Sequence, residues 1–367
     1  MTNVLFDDTK KNIAFRVDAS LLIGTGHLMR CLTLADELMM HDMHSCFISR
    51  HMPIHLRDLI TNKGHEFVFL DTMQDDSVLG NLAHSKWLGI SQEADARDTM
   101  VALSSRVWDW LVVDHYGLDI SWERLLRNLV RRILVVDDIA DRQHDCDVLV
   151  DQNLYVDMDR RYNDKVPEDC DLLLGPQYAL LRKEFRHLRE QMRPGRTCVK
   201  NLLVFFGGVD ADNCTGRVID ALSGMNLTGV HISVVIGAQQ PFREQIEVTC
   251  RKYGFICYIQ TDRMAELMAE ADLAIGAGGS SCWERCCVGL PALLVSLADN
   301  QIEIAKALDL SGVCSYVGTF NMASTSVLRD AIGNLLISPE KVNRLSQKAF
   351  SIVDGLGATR VSQVMIG

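Results

Sequence analysis

The chain lacks any uninterrupted apolar run long enough to cross a bilayer, so a helical membrane span is not expected. Its start, MTNVLFDDTKK, lacks the basic-then-apolar pattern of a secretory leader. Paired C-x2-C spacings are missing, so the 12 cysteines do not read as zinc ligands. Without a leader, they are expected as thiols in a reducing cytoplasm. Cys282, Cys286 and Cys287 read as small buried groups on a helix. Basic excess is missing too. The 37 Lys and Arg face 48 Asp and Glu, for a net charge of −11. Neither nucleic acid nor an anionic membrane gains from such a surface, so no nucleic-acid partner and no membrane insertion are expected. Low-complexity tracts and short-period repeats are also absent.

What is present suits packed α/β domains. The 367 residues favour about two domains, and 48% apolar content is ample for their cores. IAFRVD (13–18), WLVVD (110–114) and RILVVDD (132–138) read as buried strands. After GTGH (24–27), Leu28, Cys31, Leu32, Ala35 and Leu38 keep a helical rhythm. The charged stretch 182–200, with its Pro-Gly pair, reads as a helix and then a linker. A second series follows: NLLVFFGG (201–208), HISVVIG (231–237), FICYIQ (255–260), DLAIGAGG (272–279) and PALLVS (291–296). Continuous apolar strands separated by helices predict parallel sheets covered on both faces. The expected division is a domain over 12–185, a second over 198–337, and a helix with a tail over 338–367.

Ligands of open parallel sheets sit beyond the carboxyl ends of the strands, and the motifs fall there. In GTGH, Gly24 and Gly26 allow close backbone approach to a ligand. His27 then stands near a helix N-terminus, where the dipole favours neutral imidazole, a proton acceptor. The plain alternative is a helix-opening turn with a hydrogen-bonded histidine. In GAGGSSCWE (276–284), Gly279, Ser280 and Ser281 suit pyrophosphate oxygens, and Glu284 suits two ribose hydroxyls. Equally, Ser281-x-x-Glu284 is a capping-box sequence. Gly207 and Gly208 of FFGGVDADN (205–213) suit a phosphate or sugar, or simply a tight turn. Asn300 and Gln301 of ADNQ (298–301) are neutral donors for a sugar or phosphate, with helix capping by Asp299 or Asn300 as the alternative. Asp137 and Asp138 read as turn residues, because no second cluster of hard ligands lies nearby in sequence. His144, Asp145, Cys146 and Asp147 read as a solvated turn. The motifs require no metal and no cofactor.

Together these motifs resemble a known family, the UDP-2,4-diacetamido-2,4,6-trideoxy-β-L-altropyranose hydrolases of pseudaminic acid biosynthesis. The likeness runs from about residue 13 to the end. It rests on FRVDAS-x4-GTGHLMRCLTLA, VVDHYGLD, VDDIADRQHDCDVLVDQN, GPQYALLRKEF, FFGGVDADN, and GAGGSSCWE with the downstream DNQ. The segment from Met264 to Ser296 also resembles the nucleotide-binding half of the lipid-linked N-acetylglucosaminyl transferases of peptidoglycan synthesis. The resemblance implies a GT-B fold, two facing Rossmann-like domains with parallel sheets. It implies a UDP-sugar substrate and inverting attack of water at C1. His27 matches the family's base. Tyr116 of DHYG, Asn153 of DQN and Arg182 of YALLR match residues around the sugar and diphosphate. Glu284 matches the ribose ligand and Asn300 a substrate contact. Trp283 departs from the pattern and, if turned inward, alters the sugar contact beside Glu284. A glycosyltransferase and a UDP-sugar 2-epimerase are the alternatives on the same scaffold.

Overall fold

A computed structural model describes residues 11–20, 22–70 and 80–367. The first ten of the eleven residues on which the leader reading rests lie outside them. The described chain forms two compact units. The first comprises the residues up to Gln152, then Asp157–Leu180 and Gly357–Gly367; the second comprises Asn153–Val156 and Leu181–Leu356.

The first unit holds a seven-stranded parallel sheet of β1 (Asn12–Val17), β2 (His44–Ser49), β3 (Glu66–Phe69), β4 (Trp108–Asp114), β5 (Val130–Val136), β6 (Val148–Asp151) and β7 (Asp171–Leu174). Their spatial order is β3-β2-β1-β4-β5-β6-β7. Crossover helices are α1 (Gly26–Met39), α2 (Ile54–Asn62), α3 (Gln92–Leu103) and α4 (Ile120–Leu126). The sheet is buried on both faces, so its strands need no polar alternation. On β1, Ile13, Phe15 and Val17 pack with Leu28, Leu32 and Ala35 of α1, while Ala14 joins the opposite core with Trp108 and Trp122.

The second unit holds a six-stranded parallel sheet of β8 (Asn201–Phe205), β9 (His231–Ile236), β10 (Ile256–Ile259), β11 (Leu273–Ala277), β12 (Ala292–Ser296) and β13 (Ser315–Thr319), ordered β10-β9-β8-β11-β12-β13. Its helices are α5 (Lys183–Gln191), α6 (Cys214–Ser223), α7 (Arg243–Tyr253), α8 (Met264–Glu270), α9 (Ser281–Cys287), α10 (Asn300–Leu310), α11 (Thr325–Leu336) and α12 (Pro339–Ile352).

The end of the chain departs from expectation. Residues 357–366 form a helix, α13 (Gly357–Ile366), rather than a tail, and it belongs to the first unit. Ala358, Val361 and Met365 bury one face of it in the core beside α1. Trp110 Nε1 donates to Met365 O at 3.0 Å, and Lys11 Nζ to Ile366 O at 2.7 Å. Helix α12 stays with the second unit. The boundary near 185 also moves, since Leu181 onward, with α5, belongs to the second unit. Arg189 of α5 fixes this by donating to Cys287 O and Phe350 O, both at 2.8 Å.

In each sheet the strand order reverses beside the first strand of its unit. The reversal lies between β1 and β4 in one and between β8 and β11 in the other. Such switch points open crevices at the carboxyl ends of the strands.

Candidate active site

In the first unit the switch point gathers His27, Asp114 and Arg30. His27 is the second residue of α1, whose N-cap, Thr25, makes no side-chain hydrogen bond to the helix. Asp114 ends β4, in register with Val17 of β1. Its Oδ1 lies 2.6 Å from His27 Nδ1. Arg30, one turn further along α1, donates through Nε to Asp114 Oδ2 at 2.6 Å and through Nη2 to Oδ1 at 2.7 Å. Burial alone would raise the Asp114 pKa; the Arg30 guanidinium and His27 outweigh it and hold the carboxyl well below its usual range. An ionised carboxylate only accepts, so the 2.6 Å contact assigns the proton to Nδ1. In the uncharged tautomer with this proton the lone pair lies on Nε2, which makes no hydrogen bond to any described residue.

Aromatic rings wall this histidine. Tyr116 meets it edge-on at 4.7 Å between centroids, and Trp87 at 5.7 Å. Trp87 stacks on Tyr116 at 5.3 Å, and His84 flanks both. The Tyr116 hydroxyl donates to the Asp138 carboxylate. Burial and then Asp138 push its pKa well above the usual phenol value, so the hydroxyl stays protonated. Asp138 also accepts from Arg30 Nη1 at 2.9 Å. Tyr116 therefore shows His27 its ring while its hydroxyl is committed elsewhere. Asp137 is a turn residue as expected, accepting from Ala140 N at 2.9 Å and from Arg142 Nη1 at 2.9 Å. The solvated-turn reading of 144–147 does not hold. His144 is buried with Nδ1 2.7 Å from Glu123 Oε1, and Asp145 and Asp147 pair with Arg127. A carboxylate from α4 and a guanidinium just past it draw these groups in. Gly24 has φ +81° and, with Gly26, precedes His27 in an accessible turn.

In the second unit, β8, β11 and β12 are neighbours, so the turns after them share one sheet edge. Gly207 takes φ +101°, and added methyl groups on Gly207 or Gly208 would meet only open space. Beyond them the N-terminus of α6 is already occupied: Asp210 accepts from Cys214 N at 2.9 Å and Thr215 N at 2.8 Å, and Asn213 from Gly216 N at 3.1 Å. Gly279 and Ser280 lie at the surface between β11 and α9. The capping box is not formed, because Ser281 Oγ accepts from Arg285 Nη1 at 3.2 Å and Glu284 Oε1 lies 3.4 Å from Arg182 Nη2. Burial raises the Glu284 pKa against the opposing pull of Arg182. Arg182 also holds Glu184 at 2.6 Å, so its guanidinium is shared between two carboxylates. Trp283 is buried, and its Nε1 donates to Asn153 Oδ1 at 3.1 Å. The bulky ring thus positions Asn153 rather than crowding Glu284. After β12, Gln301 Oε1 accepts from Leu297 N at 3.0 Å. Asn300 is exposed at the start of α10, and neither it nor Asp299 caps that helix with a side chain.

A cavity of about 270 Å³ opens between α6 and α7, among Asp212, Arg217, Asp220, Gln245 and Thr249. Asp212 and Asn213 bring the end of the turn after β8 to its rim, but none of Gly207, Gly208, Gly279, Ser280 or Ser281 lines it. Among the described residues no group of three His, Cys, Asp or Glu is disposed to hold a metal ion, and no helix is long and apolar enough to cross a membrane. All twelve cysteines are free thiols.

Residues 201–354 match the model of the glycosyltransferase family 28 C-terminal domain. The fold matches the crystal structure of MurG from Acinetobacter baumannii with a TM-score of 0.64 at 17% identity, covering 97% of this chain and 99% of that one. The chain therefore has the GT-B fold, with two Rossmann-like units, and its second unit is similar to the family 28 C-terminal domain. Within that class the motif resemblance holds. The chain is 23% identical over 302 residues to the UDP-2,4-diacetamido-2,4,6-trideoxy-beta-L-altropyranose hydrolase of Campylobacter jejuni, covering 82% of this chain and 97% of that protein. It is 25% identical over 299 residues to protein MJ1062 of Methanocaldococcus jannaschii, covering 79% of this chain. That match spans only 56% of the archaeal protein, little more than half its length.

Proposed function

We propose that this chain hydrolyses a UDP-sugar at C1, and that UDP-2,4-diacetamido-2,4,6-trideoxy-β-L-altropyranose is its substrate. The observation that carries the reading is His27, with Nδ1 held 2.6 Å from buried Asp114 and Nε2 open. Nε2 takes a proton from water as the oxygen attacks C1. The bond from C1 to the β-phosphate oxygen breaks, UDP leaves with the electron pair, and the anomeric centre inverts. Asp114 keeps the ring in the reactive tautomer and stabilises the imidazolium as it forms, the role of the third group in nucleophile–base–acid constellations. A positioned base of this kind contributes roughly 10²–10⁴-fold.

The nucleotide falls to the second unit. Gly208, Gly279, Ser280 and Ser281 present backbone and hydroxyl donors to the diphosphate, an electrostatic contribution that grows as charge collects on the leaving group. Glu284 shares Oε1 with Arg182 and offers Oε2 to ribose hydroxyls. Arg182, Asn153, Asn300 and Gln301 serve the diphosphate and sugar. The Gly24–Gly26 turn and the Tyr116 ring bound the sugar beside His27.

The test incubates the protein with that UDP-sugar and its stereoisomers and follows UDP and free sugar by mass. Release of free sugar without an added acceptor, lost in His27→Ala, is expected. UDP release only on adding an acceptor identifies a transferase instead. Deuterium uptake at C2 identifies an epimerase.

A further inference from the structure

One tryptophan of the five is not buried. Trp108, Trp110, Trp122 and Trp283 are each at most 2% exposed, whereas Trp87 is half-buried beside His27. Its Nε1 makes no hydrogen bond to any described residue. The ring is nonetheless fixed. It stands on a 3-10 turn, Ser85–Trp87, where Trp87 N donates to His84 O at 2.9 Å and Leu88 N to Ser85 O at 3.1 Å. Leu88 is buried in the core, and its carbonyl accepts from His51 Nε2 at 3.2 Å. A methyl group added at Gly117 would stand 3.0 Å from His84 O, so the turn lies directly on the DHYG loop. The indole stacks on Tyr116, and His84 and His115 meet it edge-on at 4.7 and 6.4 Å between centroids. Nearby charges are already paired. Asp114 is held by His27 and Arg30, Asp138 by Tyr116 and Arg30, and Arg142 by Asp137 and Asp141. Burial keeps the His84 pKa below its usual value, so that ring is neutral at pH 7. The wall beside His27 thus presents aromatic surface.

We infer that Trp87 is the specificity-determining residue for the sugar, its exposed indole surface taking the methyl groups of a deoxy, N-acetylated ring. This rests on the reading that His27 works on a UDP-sugar, and it says which sugars fit. A rigid aromatic side chain gives large contact area at little entropic cost. In the 2,4-diacetamido-2,4,6-trideoxy sugar, acetamido groups replace the hydroxyls at C2 and C4, and C6 is a methyl group. UDP-N-acetylglucosamine keeps hydroxyls at C4 and C6. Pressed against the rings, they lose hydration and gain no partner. An apolar wall rejects an added hydroxyl by about 10²-fold at most. A residue that only packed against His27 and Tyr116 would affect both sugars alike.

The experiment compares wild type with Trp87→Phe and Trp87→Ala; phenylalanine keeps an aromatic ring on Tyr116. With the other four tryptophans buried, acrylamide quenching of intrinsic fluorescence reports Trp87. Quenching is read by stopped flow, before turnover, with UDP and with the deoxy UDP-sugar. The expected result is protection by the deoxy UDP-sugar and none by UDP. In Trp87→Ala, kcat/KM for the deoxy UDP-sugar falls roughly 10- to 100-fold, while the inhibition constant of UDP-N-acetylglucosamine changes little. Trp87→Phe stays within a few-fold of wild type on both. Equal protection by UDP, equal loss on the two sugars, or an unchanged kcat/KM in Trp87→Ala overturns the inference. If the deoxy UDP-sugar protects Trp87 and no free sugar is released, the inference stands and the hydrolysis reading falls. Hydrolysis that leaves Trp87 open to acrylamide gives the reverse. Neither protection nor hydrolysis ends both.

Discussion

Replacing Asp114 by Asn separates the base assignment from simple folding. Asp114 is 1% exposed and receives His27 Nδ1, Arg30 Nε and Arg30 Nη2 on its two oxygens. Asparagine offers one acceptor oxygen and turns an NH2 toward the remaining donors. Breaking a buried ion pair costs about 3–5 kcal/mol. Arg30 keeps its 2.9 Å bond to Asp138, which places this variant near the lower figure. For a unit of this size about 3 kcal/mol lowers the melting temperature by roughly 6–12 °C. The kinetic effect is larger. An amide NH2 facing Nδ1 favours the tautomer with its proton on Nε2, which removes the base. The kcat should then fall by roughly 10²–10⁴, while KM changes little, because the nucleotide is assigned to the second unit. The assay is UDP release at saturating substrate, well below the variant's melting temperature. A folded Asp114→Asn protein with kcat within tenfold of wild type refutes the dyad.

Other outcomes follow from the same geometry. In Gly237→Ala the new methyl group would sit 2.0 Å from Gly208 O, backbone against backbone. That overpacking should cost about 1–3 kcal/mol or more, and UDP affinity should drop with it in a titration. Trp283→Phe removes the 3.1 Å donor to buried Asn153, so chemical denaturation should show a loss of about 1–3 kcal/mol. Burial raises the Glu284 pKa above its unfolded value, so its share of stability is full below the unfolded value and declines as pH rises through the folded one. That downward slope should be absent from the melting profile of Glu284→Gln.

The parallel strands were legible because a sheet buried on both faces leaves long apolar runs, as in WLVVD and ALLVS. The final helix α13 was not, since Ala358, Val361 and Met365 are few and spaced among polar residues, and only docking beside α1 supplies their partner. His27 stood out through its glycine turn, but its acid did not. Asp114 is 87 residues away and meets it only because β1 and β4 pair. The best sequence hint was an acid closing a strand. Trp87 carries no periodic signal and reaches His27 from a single 3-10 turn, Ser85–Trp87, with His84 beside it. Ser281-x-x-Glu284 shows the opposite failure. Its local pattern predicts a cap, and Arg182, 102 residues away in sequence, takes the carboxylate instead.

The central claim is that water attacks C1 of a UDP-sugar. Turnover of UDP-2,4-diacetamido-2,4,6-trideoxy-β-L-altropyranose in oxygen-18 water, read by mass spectrometry of both products, tests it most directly. The account predicts one heavy oxygen in the released sugar and none in UDP; heavy oxygen in UDP, or no free sugar at all, contradicts it.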